Sequence, residues 1–530
     1  MKKLRYTIFF FSLLLVLPAC EKGFEELNKN PTNPTEVGLG PLFNSVVQSL
    51  TMEGEEQLYL HNETLYKITQ QAALSATTFQ NVSIGAENHW GRYYAALADI
   101  REIELRLDNY EGEQEVVNNI RAMVKVLLAY KTFRLTDLFG DVPFFDAGKG
   151  FQDLDLVRPE FDGQEEIYKA LMDDLKWVND NANVDAEPMT ADSSEAYLSL
   201  DGFDNLFSED MLLWVKFANS LRLRHAVRMV EKDPAFAQAI ISEILTNELP
   251  LIEAGEDVAL WPAKLGWKNL GVHWSFGEHK KLRMGSNIWN LMSETDSSDG
   301  SGIFDPRIKI FFETNHANEW VAFPQIPDAN TPASGGSPYQ KSRDINHSAK
   351  GVSNIYSPFN YYLIRDEDDI PEIILTAAEV KFLKAEIYQR GLGVGMDTEM
   401  AKIEYKSGVT TSLVFRHNLV ASTAIWTVDP PTLAANGQFI IYTHERIDFT
   451  GGGDPLDLIY TQRWIDAFRQ PWEAYALGRR TMATPIEGQR EAHYRFAYPP
   501  SEIENNPENW SAQVARMGAD DVTTKIWWME

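Results

Sequence analysis

Trp261, Trp267, Trp274, Trp289 and Trp320 fall within one stretch rich in Gly, Pro, Ser and Asn, alongside Asn269, His273, Arg283 and Asn287. An indole is a large, flat, apolar face with one N–H donor at its edge, suited to surfaces that are half buried and half wet. Such faces take the C–H side of a sugar ring, while amide, imidazole and guanidinium neighbours bond its hydroxyls. The competing use is packing, because Trp is highly buried on average. Asn88-His89-Trp90 with Tyr93 and Tyr94 is a second cluster of the same kind. Trp90, Tyr94 and Leu97 have helical spacing there, so Tyr94 is expected to pack. The candidate ligand-binding residues are therefore Asn88, Trp90, Trp267, Trp274, Arg283, Trp289 and Trp320.

Patterns that would signal catalysis are missing from the sequence. It contains no G-x-S-x-G, no H-E-x-x-H and no Walker A motif. Its 77 acidic residues leave a glycosidase pair open but single none out. Glu294, Asp296 and Asp299 beside Gly300 alternate oxygen ligands that could hold calcium, yet their order does not match an EF-hand loop. A solvated acidic loop is the expectation there. His273 and His279 do not make a zinc pair without help from the fold. Gly391-Leu392-Gly393-Val394-Gly395 lacks the spacing of a dinucleotide loop and should end the preceding helix. Gly451-Gly452-Gly453-Asp454 reads as a flexible turn. No cofactor is expected.

Cys20 is the only cysteine among 530 residues. Lys2, Lys3 and Arg5 precede an apolar run, Ile8 to Leu17, that is too short to span a bilayer, and Leu17-Pro18-Ala19-Cys20 follows. That order reads as a lipoprotein signal with Cys20 as the acylated residue; a plain signal peptide with a stray thiol is the alternative. The expected organisation is a signal over residues 1–19, a lipidated tether over 20–36 and one large domain over 37–530. Asn28, Asn30 and Asn33 with Pro31 and Pro34 give the tether a turn-rich composition. A formal charge of −29 repels phosphate backbones, so nucleic acid is a poor partner, and the lipid rather than a basic patch would hold the chain at a membrane.

The elements that must position these residues are mostly helical. Val116, Ile120, Met123, Leu127 and Tyr130 step by three and four, with Gly140 placed as a stop. Met211 to Val230 reads as a second helix with Lys216, Arg222, Arg224 and Arg228 on its polar side, and Asp233-Pro234 ends it and opens the next. Pro371 to Gln389 reads as a third, with Asp366, Glu367, Asp368 and Asp369 at its positive end. A pair over Tyr460 to Phe468 and Trp472 to Arg479 should be broken by Pro471. Helix pairs with small contact residues such as Ala377, Ala378 and Ala385 suggest a tetratricopeptide-like scaffold, without a clean repeat of about 34 residues. The long loops over 250–360 and 425–456 would carry function. The expected fold is mostly α, a helix-pair scaffold bearing irregular ligand-binding loops.

Several stretches resemble one family, the SusD/RagB-type outer-membrane lipoproteins of Bacteroidota. Asn28-Lys29-Asn30-Pro31-Thr32-Asn33-Pro34-Thr35 resembles its asparagine-proline segment, and Phe139-Gly140-Asp141-Val142-Pro143-Phe144 its aromatic-Gly-Asp-x-Pro turn. Ala377-Ala378-Glu379 with Lys384-Ala385-Glu386 is similar to its repeat helix, and Trp464 to Phe468 with Glu473-Ala474 and Arg479-Arg480 to its late helical motif. Arg495-Phe496, Tyr498-Pro499, Glu502, Asn505 and Asn506, then Lys525-Ile526-Trp527-Trp528, resemble its closing pattern. The resemblance implies a non-catalytic protein at the outer membrane, facing the cell exterior. It would pass oligosaccharide, or in other members peptide, to a SusC-like TonB-dependent transporter. A lipoprotein glycosidase is the remaining alternative.

Overall fold

The computed structural model describes residues 38–75, 82–112, 114–187, 196–261, 272, 274–276, 281–336, 338–339, 354–363, 371–421, 432–435 and 439–529. Cys20 and the tether expected to follow it lie outside them. Helices dominate: α1 (Leu39–Gln48), α2 (Val82–Asp108), α3 (Gln114–Phe139), α4 (Gln164–Asn181), α5 (Met211–Met229) and α6 (Pro234–Thr246). Then come the short α7 (Ser286–Met292), α8 (Ala377–Arg390), α9 (Thr398–Ala421), α10 (Pro455–Asp466) and α11 (Pro471–Thr481). The last are α12 (Pro500–Asn505) and α13 (Pro507–Met517). Helices adjacent in sequence pack as neighbours, α2 on α3, α3 on α4, α4 on α5, α5 on α6 and, most extensively, α8 on α9. This is the helix-pair scaffold that the periodicity predicts. Among the described residues, no helix is long and apolar enough to cross a membrane.

Between α1 and α2 the ten residues Glu56–Leu65 run as a π-helix, an uncommon form in which each turn is wound wider than in an α-helix. β1 (Ala73–Leu74) pairs antiparallel with β3 (Leu282–Arg283), and β2 (Val258–Leu260) with β4 (Glu372–Leu375). Two apolar cores result. One fills the space among α1 to α6; the other lies under the loop-rich middle against α8, α9 and α10.

Local signals are honoured at most helix ends. The apolar stripe of α3 is buried at Ile120, Met123, Leu127, Tyr130, Phe133 and Leu138, and the helix stops where Gly140 turns to φ +83°. Asp233 caps α6 by accepting from the Phe236 N–H at 3.2 Å, with Pro234 in the first turn. Pro471 separates α10 from α11 and opens the latter. Gly391 ends α8 in the left-handed region, as expected.

Two expectations are corrected. The helix predicted from Pro371 begins six residues later, because Glu372–Leu375 pairs as β4 and Thr376 is the N-cap, its hydroxyl accepting from the Glu379 N–H at 3.0 Å. A buried Ile373-Ile374-Leu375 run suits a strand, and Thr376-Ala377-Ala378-Glu379 has the spacing of a capping box. The acidic run 366–369 lies outside the described residues. The second correction concerns α5. Arg222, Arg224 and Arg228 do not face water; all three are buried.

They are held inside by carboxylates from other helices. Arg228 bridges Asp137 of α3 and Glu473 of α11. Arg224 reaches Glu379 of α8 at 2.5 Å and Glu473 at 3.5 Å. Arg463 of α10 meets Glu379 at 3.0 Å, and Arg480 of α11 grips Glu386 through two bonds of 2.6 and 2.7 Å. The closing segment joins the same knot: Trp528 Nε1 donates to Asp137 at 2.8 Å, Phe496 N to Leu138 O at 2.8 Å, and Arg495 Nε to Phe139 O at 2.9 Å.

Burial alone would raise the Glu386 and Glu473 carboxyls. Arg480, Arg463 and Arg390 around the first, and Arg224, Arg228 and Arg463 around the second, hold both at about 2. Groups depressed in this way stabilise the fold above the ordinary Glu value and lose that contribution as pH falls towards 2. Circular dichroism should therefore record acid unfolding that begins below about pH 4.5. Glu473→Gln should flatten that dependence and cost about 3–5 kcal/mol at neutral pH, since it strands buried guanidinium groups. Thr376→Ala should cost about 1–2 kcal/mol by urea titration, through loss of the cap. A cost near zero would mean that the α8 start is held by packing alone.

Candidate functional site

The structure gathers four of the candidate residues into two places. In the first, α7 carries Trp289, whose indole N–H donates to Asp296 Oδ1 at 3.1 Å and whose ring lies parallel to Trp320, centroids 6.2 Å apart and 15° between planes. The loop between them is tied by Glu294 N to Gly302 O at 2.8 Å and Trp320 N to Ser298 O at 2.7 Å. Trp289 is buried at 3 % exposure and serves as the support; Trp320 is half-buried and presents the outer face.

A second loop locks onto this one. His444 stacks flat on Phe304 at 3.5 Å and its Nε2 lies 2.7 Å from Glu294 Oε1. Arg446 Nη1 donates to Ser293 O at 3.0 Å with its guanidinium over the Phe304 ring. His444 and Arg446 were not singled out from the sequence; the only signal was that 439–450 belongs to a loop too long to be idle. The acidic triplet divides three ways: Glu294 to His444, Asp296 to Trp289, and Asp299 to the Ser301 N–H at 2.9 Å, a bond that lowers the Asp299 carboxyl. The three carboxylates thus have separate partners. Among the described residues no group of His, Cys, Asp or Glu is arranged to hold a metal.

The second place is the turn over Glu53, Gly54 and Glu55. Trp274, 43 % exposed, lies across Gly54 so closely that a Cβ there would come 2.5 Å from the ring. Asn88 Nδ2 donates to Glu55 Oε2 at 3.1 Å, and Arg92 Nη1 meets Glu53 Oε1 at 2.6 Å. The partly exposed indole thus rests on Gly54, whose sequence neighbours Glu53 and Glu55 pair with a guanidinium and an amide. Such a surface can hold C–H groups on the ring and hydroxyls beside it, because these side chains offer both donors and acceptors.

Other candidates lie elsewhere. Trp90 is buried against Tyr94, Phe139 and Tyr498, with centroids 5.0, 5.1 and 5.8 Å away, because it sits on the inner face of α2. Arg283 is fully buried, with Nε donating to Asn354 Oδ1 at 2.9 Å and Nη1 to Leu282 O at 2.8 Å, so it pins loops instead of facing solvent. Asn287 is buried and donates to Pro485 O at 2.9 Å, and Trp261 packs on Phe415 and Leu419. Trp267, Asn269 and His273 lie outside the described residues.

Comparison with known proteins places this geometry in a family. Residues 31–499 match the SusD-like family described as starch-binding associating with outer membrane. No curated protein sequence matches the chain. Among solved structures it is similar to a chitin-binding protein at TM-score 0.69 and 22% identity, over 93% of this chain and 100% of that one. It is also similar to a SusD homolog from Parabacteroides distasonis (TM-score 0.67, 20% identity, 92% and 98% covered). A third is a SusD homolog from Bacteroides vulgatus (TM-score 0.65, 21% identity, 92% and 97% covered). At these identities the structural likeness speaks for the fold, and the match over most of the sequence speaks for the family. The chain belongs to the SusD-like family.

Proposed function

We propose that this protein captures oligosaccharide at the outer membrane without cleaving it and hands it to a SusC-like TonB-dependent transporter. The observation that carries the reading is the partly exposed Trp274 ring resting on Gly54, next in sequence to Glu53 and Glu55, which pair with Arg92 and Asn88. Trp320, backed by Trp289, offers a second plate. The family description of starch binding and outer-membrane association supports a sugar, as does the likeness to a chitin-binding protein. Acylation at Cys20 would supply the membrane attachment.

Quenching of intrinsic Trp fluorescence by a panel of oligosaccharides and peptides tests the substrate class. One glycan class should saturate the signal and be recovered intact. Trp274→Ala should weaken that binding about tenfold, equivalent to about 1.4 kcal/mol. A response to peptides alone would overturn the sugar reading, and release of shortened products would overturn the non-catalytic one. Cys20→Ala should move the protein from the membrane to the soluble fraction; retention would overturn the anchor.

A further inference from the structure

Next to Glu56, between the π-helix, α2 and α3, lies a cavity of about 20 Å³ whose lining includes Ser49, Leu50, Thr51, Arg92, Lys131 and Arg134. Its size admits a water or a monatomic ion. Its walls carry more positive than negative charge. Arg92 spans the site from Thr51 O at 2.6 Å to Glu53 at 2.6 Å and Glu56 at 3.6 Å. Arg134 meets Glu56 at 3.0 Å and lies 4.2 Å above the Trp472 ring. Lys131 donates to Ser49 O at 3.0 Å, a neutral acceptor. Arg92 and Arg134 both reach the buried carboxylate Glu56, Arg92 also meets the more exposed Glu53, and Lys131 faces the neutral Ser49 carbonyl.

Every element packed here contributes titratable groups: Glu56 and His61 from the π-helix, His89, Arg92 and Tyr93 from α2, and Tyr130, Lys131 and Arg134 from α3. His89 Nδ1 lies 2.8 Å from Glu56 Oε1, while its Nε2 finds no partner among the described residues. The Arg134 Nε is likewise unpartnered among them. Burial, with Arg92 and Arg134 alongside, pushes the Lys131 ammonium down to about 7. A buried cation cluster in this state is short of a counter-charge.

We propose that this cavity is a binding site for a monatomic anion of chloride size, held by Lys131, Arg92 and Arg134. Occupied, it supplies the charge that Glu56 alone does not, and it braces the turn on which Trp274 and Asn88 rest. Protonated Lys131 is the form that binds, so affinity falls with rising pH, about tenfold per unit above the Lys131 value.

Thermal unfolding of the full chain in sodium chloride and in sodium gluconate at equal ionic strength, at pH 6 and pH 8.5, tests the proposal. The midpoint should be higher in chloride, the gap should be larger at pH 6, and Lys131→Met should abolish it. Crystals soaked in bromide should show an anomalous peak within the cavity, a readout on the unaltered protein. Equal midpoints in both salts, a gap that survives Lys131→Met, or a cavity free of bromide would each overturn the proposal and leave water as its occupant.

Discussion

The fold is organised around the need to keep α5 inside. Arg222, Arg224 and Arg228 enter the interior on a helix whose other residues are nearly all buried, and a guanidinium does not lose its proton to escape that cost. It must be met by carboxylates at hydrogen-bonding distance. For Arg224 and Arg228, Asp137, Glu379 and Glu473 meet it from α3, α8 and α11, so three helices distant in sequence are fixed in register by one helix; Arg222 pairs with Glu243 of the adjacent α6 at 2.7 Å. Apolar packing would tolerate slippage of these helices; paired charges in forked geometry tolerate much less. The network gives position more than net stability, because desolvation consumes most of its attraction.

That constraint also explains what was legible in the sequence. The stripe of α3, the break at Pro471 and the cap at Asp233 are local signals, and local signals survive into the fold. Arginines on α5 looked like a solvent face because a helical wheel cannot see Asp137 or Glu473. Strand β4 was hidden for a related reason: Ile373-Ile374-Leu375 continues the apolar pattern of α8, and only its pairing with β2 makes it a strand. The π-helix left no periodic trace. In the family resemblance, Glu379, Glu386, Glu473 and Arg480 were read as motif letters; the structure shows them as members of one ionic knot.

The tryptophans divide along the same line. Composition marked which stretch would carry flat aromatic faces, but exposure is a tertiary property. Trp90 and Trp289 became structural while Trp274 and Trp320 retained outward faces, and nothing in residue type separates the two outcomes. The separating fact is support: each outward ring has something rigid behind it, Gly54 in one case and Trp289 in the other. A plate held in place loses little freedom on binding, which favours affinity.

The tie between Trp528 and Asp137 spans 391 positions. At ribosomal rates, residues so far apart are made roughly 20–80 s from each other. During that interval α3 exists without the donor that completes its end, and the network lacks α8, α10 and α11 as well. Long-range closure of this kind raises contact order and delays folding. The residues that lock the network shut are thus the last to arrive.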